Sequence, residues 1–141
     1  MKKLYIILSL VLLLLIGTWF FINNRADSEL NGLDKKSWEL AKIVYSDETE
    51  MLPNKTGDFS ITFKQDGKFS SETDCNTTGG EYVSEGNLIT FKNIFSTKMF
   101  CEGSKEEEFK TALVNARTFF FDQDGGLVIE LDLDSGSMFF K

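Results

Sequence analysis

Thr73–Cys101 reads TDCNTTGGEYVSEGNLITFKNIFSTKMFC, and the rest of the chain is best read outward from it. It holds both cysteines, a double glycine and two short alternating runs. Glu81-Tyr82-Val83 and Leu88-Ile89-Thr90-Phe91 flank Glu85-Gly86-Asn87, the pattern of a β-hairpin. Ile94–Met99 is expected as a further extended piece. Ahead of the hairpin, Asn76-Thr77-Thr78-Gly79-Gly80 is turn-rich. Asn76 has two readings there. It forms an Asx-turn at a crossing between strands, with the glycines at positive φ, or its amide orders a loop for a ligand. Turn composition favours the first. Asn76-Thr77-Thr78 also fits the short N-glycosylation acceptor pattern.

Downstream, Ser104-Lys105-Glu106-Glu107 has the form of a capping box. Phe109, Leu113 and Ala116, with Ala112, make a stripe that predicts an amphipathic helix over 104–117. Thr118–Phe121 and Leu127–Leu131 surround Asp122-Gln123-Asp124-Gly125-Gly126 as another hairpin, and Ser137–Lys141 is expected to close the sheet. Upstream, Phe59-Ser60-Ile61-Thr62-Phe63 alternates strictly, Gln65-Asp66-Gly67 signals a turn and Lys68–Glu72 returns, a hairpin over 58–73. Trp38–Tyr45 alternates with a slip between Leu40 and Ile43, as a bulged strand does. Ser46–Lys55 is acidic, holds the one proline, Pro53, and reads as a loop.

These elements predict a mainly β (α+β) domain. The expected form is a strongly curved antiparallel sheet or cracked β-barrel of about eight strands, with the 104–117 helix inserted to plug a gap. The absence of long βαβ spacing argues against a parallel sheet.

The remaining N-terminal part has a different character. Between Leu4 and Ile22 only Ser9 and Thr18 are polar, and as a helix this run is about 28 Å long, close to the hydrocarbon thickness of a bilayer. Residues 1–23 are therefore expected as an N-terminal transmembrane anchor; a cleaved signal sequence is the competing reading. Residues 24–36 are polar and read as a linker, and 37–141 as the domain. Lys2 and Lys3 ahead of the run favour a cytoplasmic N-terminus and an extracytoplasmic domain. The formal charge is −7, and setting aside Lys2 and Lys3 leaves −9 on the rest. That balance argues against nucleic acid as a partner.

The residues resemble the META domain family, which includes HslJ-like, heat-shock-associated proteins. The resemblance is carried by Trp38-Glu39-Leu40, by Cys75-Asn76 with Gly79, Gly80 and Tyr82, by Thr97-Lys98-Met99-Phe100-Cys101, and by Glu108-Phe109 with Leu113. It spans 37–141 and implies a small β-rich, cracked-barrel-like fold, an association with envelope stress and secretion, and no established enzymatic activity. Many bacterial members look like lipoproteins; Thr18 stands here where a lipobox cysteine is needed.

Candidate chemistry is sparse. Cys75 and Cys101 are read as a disulfide in an oxidising compartment, against two buried reduced thiols. With no histidine and no Cys-x-x-Cys, neither a metal centre nor redox catalysis is expected, and no cofactor. Asp122, Asp124, Asp132 and Asp134 hint at calcium but lack the distal bidentate glutamate, so a solvated turn is the favoured reading. Glu106, Glu107 and Glu108 are explained by the helix dipole rather than acid–base work. The chain is expected not to be an enzyme. Its aromatic excess has two readings, a thick core or an apolar groove lined by Tyr82, Phe100, Phe109, Phe119 and Phe121 that takes a lipid-like ligand or a protein partner.

Overall fold

The computed structural model describes residues 32–141. The expected anchor over 1–23 and most of the 24–36 linker lie outside the described residues. Among the described residues, no helix is long and apolar enough to cross a membrane.

Nine strands form one antiparallel sheet: β1 (Ser37–Tyr45), β2 (Glu50–Met51), β3 (Ser60–Phe63), β4 (Lys68–Glu72), β5 (Thr77–Glu85), β6 (Leu88–Ser96), β7 (Ala116–Phe121), β8 (Leu127–Leu131) and β9 (Gly136–Phe140). Among the described residues, one α-helix, α1 (Glu106–Val114), lies between β6 and β7 in the chain. Spatial order follows chain order from β3 to β9, and β9 returns to β1. The sheet is thus a closed barrel of eight strands, with β2 attached to β1 as a short ninth.

Closure depends on β1 serving two neighbours. Its first residues, Ser37–Glu39, pair with β3, while Leu40–Tyr45 pair with β9. The register shifts between Leu40 and Lys42, where the slip in the alternation predicts a bulge. The wall is thinnest between β6 and β7, which share one register pair, Leu88 with Thr118. Phe109 and Leu113 of α1 are fully buried, and Phe109 meets the Phe59 ring at 5.2 Å. The helix therefore seats its apolar face in the core, as the stripe predicts.

Several expectations are corrected. The helix is shorter than 104–117: it runs over Glu106–Val114, and Ala116 and Arg117 already belong to β7. Met51 of the expected 46–55 loop is buried and pairs with Ile43 as β2. Ile94–Ser96 is not a separate piece but the continuation of β6. Leu33, ahead of β1, is fully buried and its carbonyl accepts the Trp38 indole N–H at 2.8 Å.

The double glycine is also corrected. Thr77–Gly80 is strand, not turn, and neither glycine has positive φ. What they supply is room. A Cβ on Gly80 would come within 2.8 Å of the Lys92 carbonyl oxygen and of the Phe69 ring, and one on Gly79 within 2.8 Å of the Phe95 ring. Bare backbone here lets β6 and the Phe69 ring close on β5.

Candidate functional site

At one end of the barrel three segments meet: the turn before β5, the segment 97–105 after β6, and the first turn of α1. Between them lies a cleft of about 540 Å³ whose lining includes Cys75, Asn76, Thr97, Met99, Phe100 and Glu106.

Asn76 builds its floor. The residue is 7% exposed and its amide is fully committed. Oδ1 accepts from the Thr97 hydroxyl at 2.7 Å and the Met99 N–H at 2.9 Å. Nδ2 donates to the Met99 carbonyl at 3.2 Å and to Glu106 Oε2 at 2.6 Å. This replaces the expected Asx-turn. The local turn is made by Thr73 instead, whose hydroxyl accepts the Asn76 N–H at 2.8 Å and donates to the Asn76 carbonyl at 2.6 Å. A buried amide holding four bonds is also no acceptor for a glycan.

Glu106 is the second floor residue, 6% exposed. Besides Asn76 it accepts from the Ser96 hydroxyl and faces Lys110 Nζ at 3.4 Å. Burial presses its carboxyl toward the neutral form, but the bonds from Ser96 and Asn76 and the Lys110 charge together outweigh burial, and its pKa lies below the ordinary 4.5. Lys110 in turn is held at 2.6 Å by Glu107, which raises the lysine pKa. Glu107 therefore turns toward Lys110 rather than back to Ser104, so the capping box does not form. Ser104 still caps the helix, its Oγ accepting the Glu106 N–H at 3.1 Å, and Asp74 adds to the cap from another segment: Oδ1 accepts the Ser104 hydroxyl at 2.6 Å and Oδ2 the Lys105 N–H at 2.8 Å.

The rim is apolar and covalently tied. The Cys75 and Cys101 sulfurs lie 2.00 Å apart, a disulfide, and both line the cleft. Met99 is 63% exposed and Phe100 93% exposed. A stiff polar floor under an exposed apolar rim is a surface that can hold an amphipathic partner.

The other sequence-marked residues fall elsewhere. Trp38, Leu40, Tyr82 and Leu113 are core. The Tyr82 hydroxyl donates to the Lys64 carbonyl at 2.9 Å, and burial, then Asp34 and Asp66, push its pKa up to about 12. Glu108 sits beside Tyr45, whose pKa is pushed to about 12 by burial and then by Glu108. The five residues of the expected groove do not line one groove, although the Phe119 and Phe121 rings meet edge to face at 6.0 Å. Tyr82, Phe109 and Phe119 are buried in the core, Phe121 stacks on Trp38 at 5.5 Å, and only Phe100 lines the cleft. Asp122 fastens its own turn, accepting from the Asp124 and Gly126 amides at 2.9 and 2.7 Å. Among the described residues, no group of three or more His, Cys, Asp or Glu is placed to hold a metal ion.

Cys75, Asn76, Thr97, Met99 and Cys101, scattered in the chain, thus converge on one structure. The sequence matches the META domain family over residues 31–140. The chain belongs to the META domain family. Its fold is similar to a protein from Burkholderia xenovorans solved by NMR, with a TM-score of 0.67, 19% identity, and coverage of 82% of this chain and 86% of that one. It is also similar to a DUF4847 family protein from Bacteroides vulgatus, with a TM-score of 0.59, 19% identity, and coverage of 77% and 92%. At that identity the likeness concerns the META fold alone. Comparison with curated proteins gives no match.

Sequence reading missed Glu106, Asp74 and Ser96. One signal was present for Glu106: three and seven residues ahead of Phe109 and Leu113, it lies on the buried face of α1. A glutamate on an apolar stripe needs partners.

Proposed function

We propose that this META domain is a non-enzymatic binding module, anchored in a membrane by residues 1–23, extracytoplasmic and related to envelope stress. Its recognition site is the cleft beside α1. The observation that carries this reading is the contrast between floor and rim. Asn76 and Glu106 are spent on internal bonds, so the polar groups hold shape, while Met99 and Phe100 stand exposed on a segment pinned at both ends. Exposed apolar groups on pinned backbone lose little conformational freedom on binding, which favours affinity. A second reading, an assembly or secretion accessory that docks a partner membrane protein or a lipid, draws on the near-complete exposure of Phe100.

Photo-crosslinking tests both. The full chain carries a photoreactive side chain at position 100, or at exposed Phe120 on the barrel wall as a control, and is irradiated in native membranes with lipids retained. A single species captured from position 100 and not from 120 is expected, and its being protein or lipid chooses between the readings. Equal capture at both positions, or none at 100, overturns the cleft as the recognition site. Membrane extraction of the same tagged chain tests the anchor, and release of a shortened soluble form would show cleavage.

A further inference from the structure

We infer that the Cys75–Cys101 disulfide is a redox latch on the rim of the cleft, opened by a dithiol, and so a regulator of the recognition site proposed above, on which this inference rests. The segment 97–105 is held at its two ends by hydrogen bonds. Thr97 and Met99 bond to Asn76, and Ser104 and Lys105 bond to Asp74. Among the described residues, the four residues between, Phe100, Cys101, Glu102 and Gly103, make no hydrogen bond to another segment; the Cys101 carbonyl accepts from the nearby Ser104 N–H at 3.2 Å. Among the described residues, the bond that ties them to another segment is the sulfur bridge to Cys75. Phe100, the most exposed large apolar side chain of the rim, therefore has its place set by that bond.

The bond is also within reach. Both cysteines are half-buried and line the open cleft, whereas the barrel core lies on the other side of the Asn76–Glu106 floor. Exchange is a two-electron step. A dithiol's thiolate attacks one sulfur, the other leaves as a thiolate and takes a proton, and the dithiol's second thiol displaces the mixed disulfide. The products are two protein thiols and the oxidised reagent. The two hydrogen-bonded clamps confine the consequence: the rim 100–103 loosens while the floor and the barrel stay.

The test is NMR relaxation on the full chain, oxidised and then reduced by millimolar dithiothreitol without denaturant, with thiol alkylation read by mass spectrometry. Reduction of the folded protein is expected. Order parameters at 100–103 should fall from the rigid range near ~0.85 to below ~0.6, with barrel resonances unmoved. Cys75→Ser/Cys101→Ser should reproduce the reduced spectrum. A disulfide that resists the reagent until the protein unfolds overturns the latch. So does a reduced rim as ordered as the oxidised one, or loss of order throughout the barrel. None of these readings needs a ligand, so a failed latch is told apart from a failed recognition site.

Discussion

The Asn76 amide donates to Glu106 Oε2 at 2.6 Å, joining the residue before β5 to the first residue of α1. The same amide accepts the Met99 N–H, so one side chain sets the spacing of all three segments around the cleft. Asn76→Ala leaves a buried carboxylate short of a donor and a backbone N–H unpaired. A loss of about 2–4 kcal/mol is expected, read as a lower urea midpoint at unchanged slope. Asn76→Asp should be worse at neutral pH, because a second carboxylate then faces Glu106. A variant as stable as the parent would remove Asn76 from the centre of the site.

Stability should acquire an acid limb from Glu106. Its folded-state pKa lies below the ordinary 4.5, so the folded protein prefers the charged form. That contribution is complete above the unfolded-state value and is lost as pH falls through the lower folded-state value. Urea unfolding followed from neutral pH into the acid range should show a steeper decline for the parent than for Glu106→Gln. Parallel acid limbs would show that Glu106 gains nothing from its partners.

The two adjacent glycines should differ in tolerance. Gly80→Ala drives a methyl against the Lys92 carbonyl oxygen and the Phe69 ring, both fixed in the barrel, and should cost about 1–3 kcal/mol. Gly79→Ala chiefly meets the Phe95 ring, 67% exposed and able to swing outward, and should cost less than about 1 kcal/mol. Thermal unfolding of both variants checks the order; the reverse order would mean that steric room is not why glycine stands there.

Phe109→Ala removes the ring that ties α1 to Phe59 inside the barrel. Burial is complete, so about 3–5 kcal/mol should be lost. Amide exchange should rise first in α1, whose seat depends on that ring, and later in β3 and β4. Uniform acceleration in all elements would indicate that helix and barrel open as one unit.

Removing the Cys75–Cys101 bridge should lower unfolding stability by about 3–4 kcal/mol in the chain-entropy model, since it closes a 26-residue separation. Calorimetry of Cys75→Ser/Cys101→Ser reads this directly. An unchanged midpoint would mean that the unfolded chain is already restrained between these positions.

Local signals were legible wherever the deciding interaction lies within a few residues. The alternation of Phe59–Phe63, the turn at Gln65–Gly67 and the slip after Leu40 mark β3, the β3–β4 turn and the β1 bulge. The signals that misled are those for which a distant partner outcompetes the local one. Ser104 and Glu107 had the form of a capping box, but the Ser104 hydroxyl takes the Glu106 amide, Glu107 turns to Lys110, and Asp74, thirty-one positions before Lys105, takes the Lys105 amide. Gly79 and Gly80 had the form of a turn, but the approach of Phe95, Phe69 and Lys92 holds them extended.

The sequence alone thus determined the family, the antiparallel β character, the amphipathic helix and the pairing of two cysteines as one of two readings. Periodicity and turn chemistry are local, and four short motifs in order need no coordinates. Closure of the barrel, the burial of Glu106 and the gathering of Asn76, Thr97, Met99 and both cysteines around one cleft were decided only by the tertiary structure. These depend on which strand edge meets β1 and on which carboxylate of Glu106-Glu107-Glu108 turns inward. Long-range packing and the need of buried polar groups for partners make that choice, and the local spacing of the residues does not contain it.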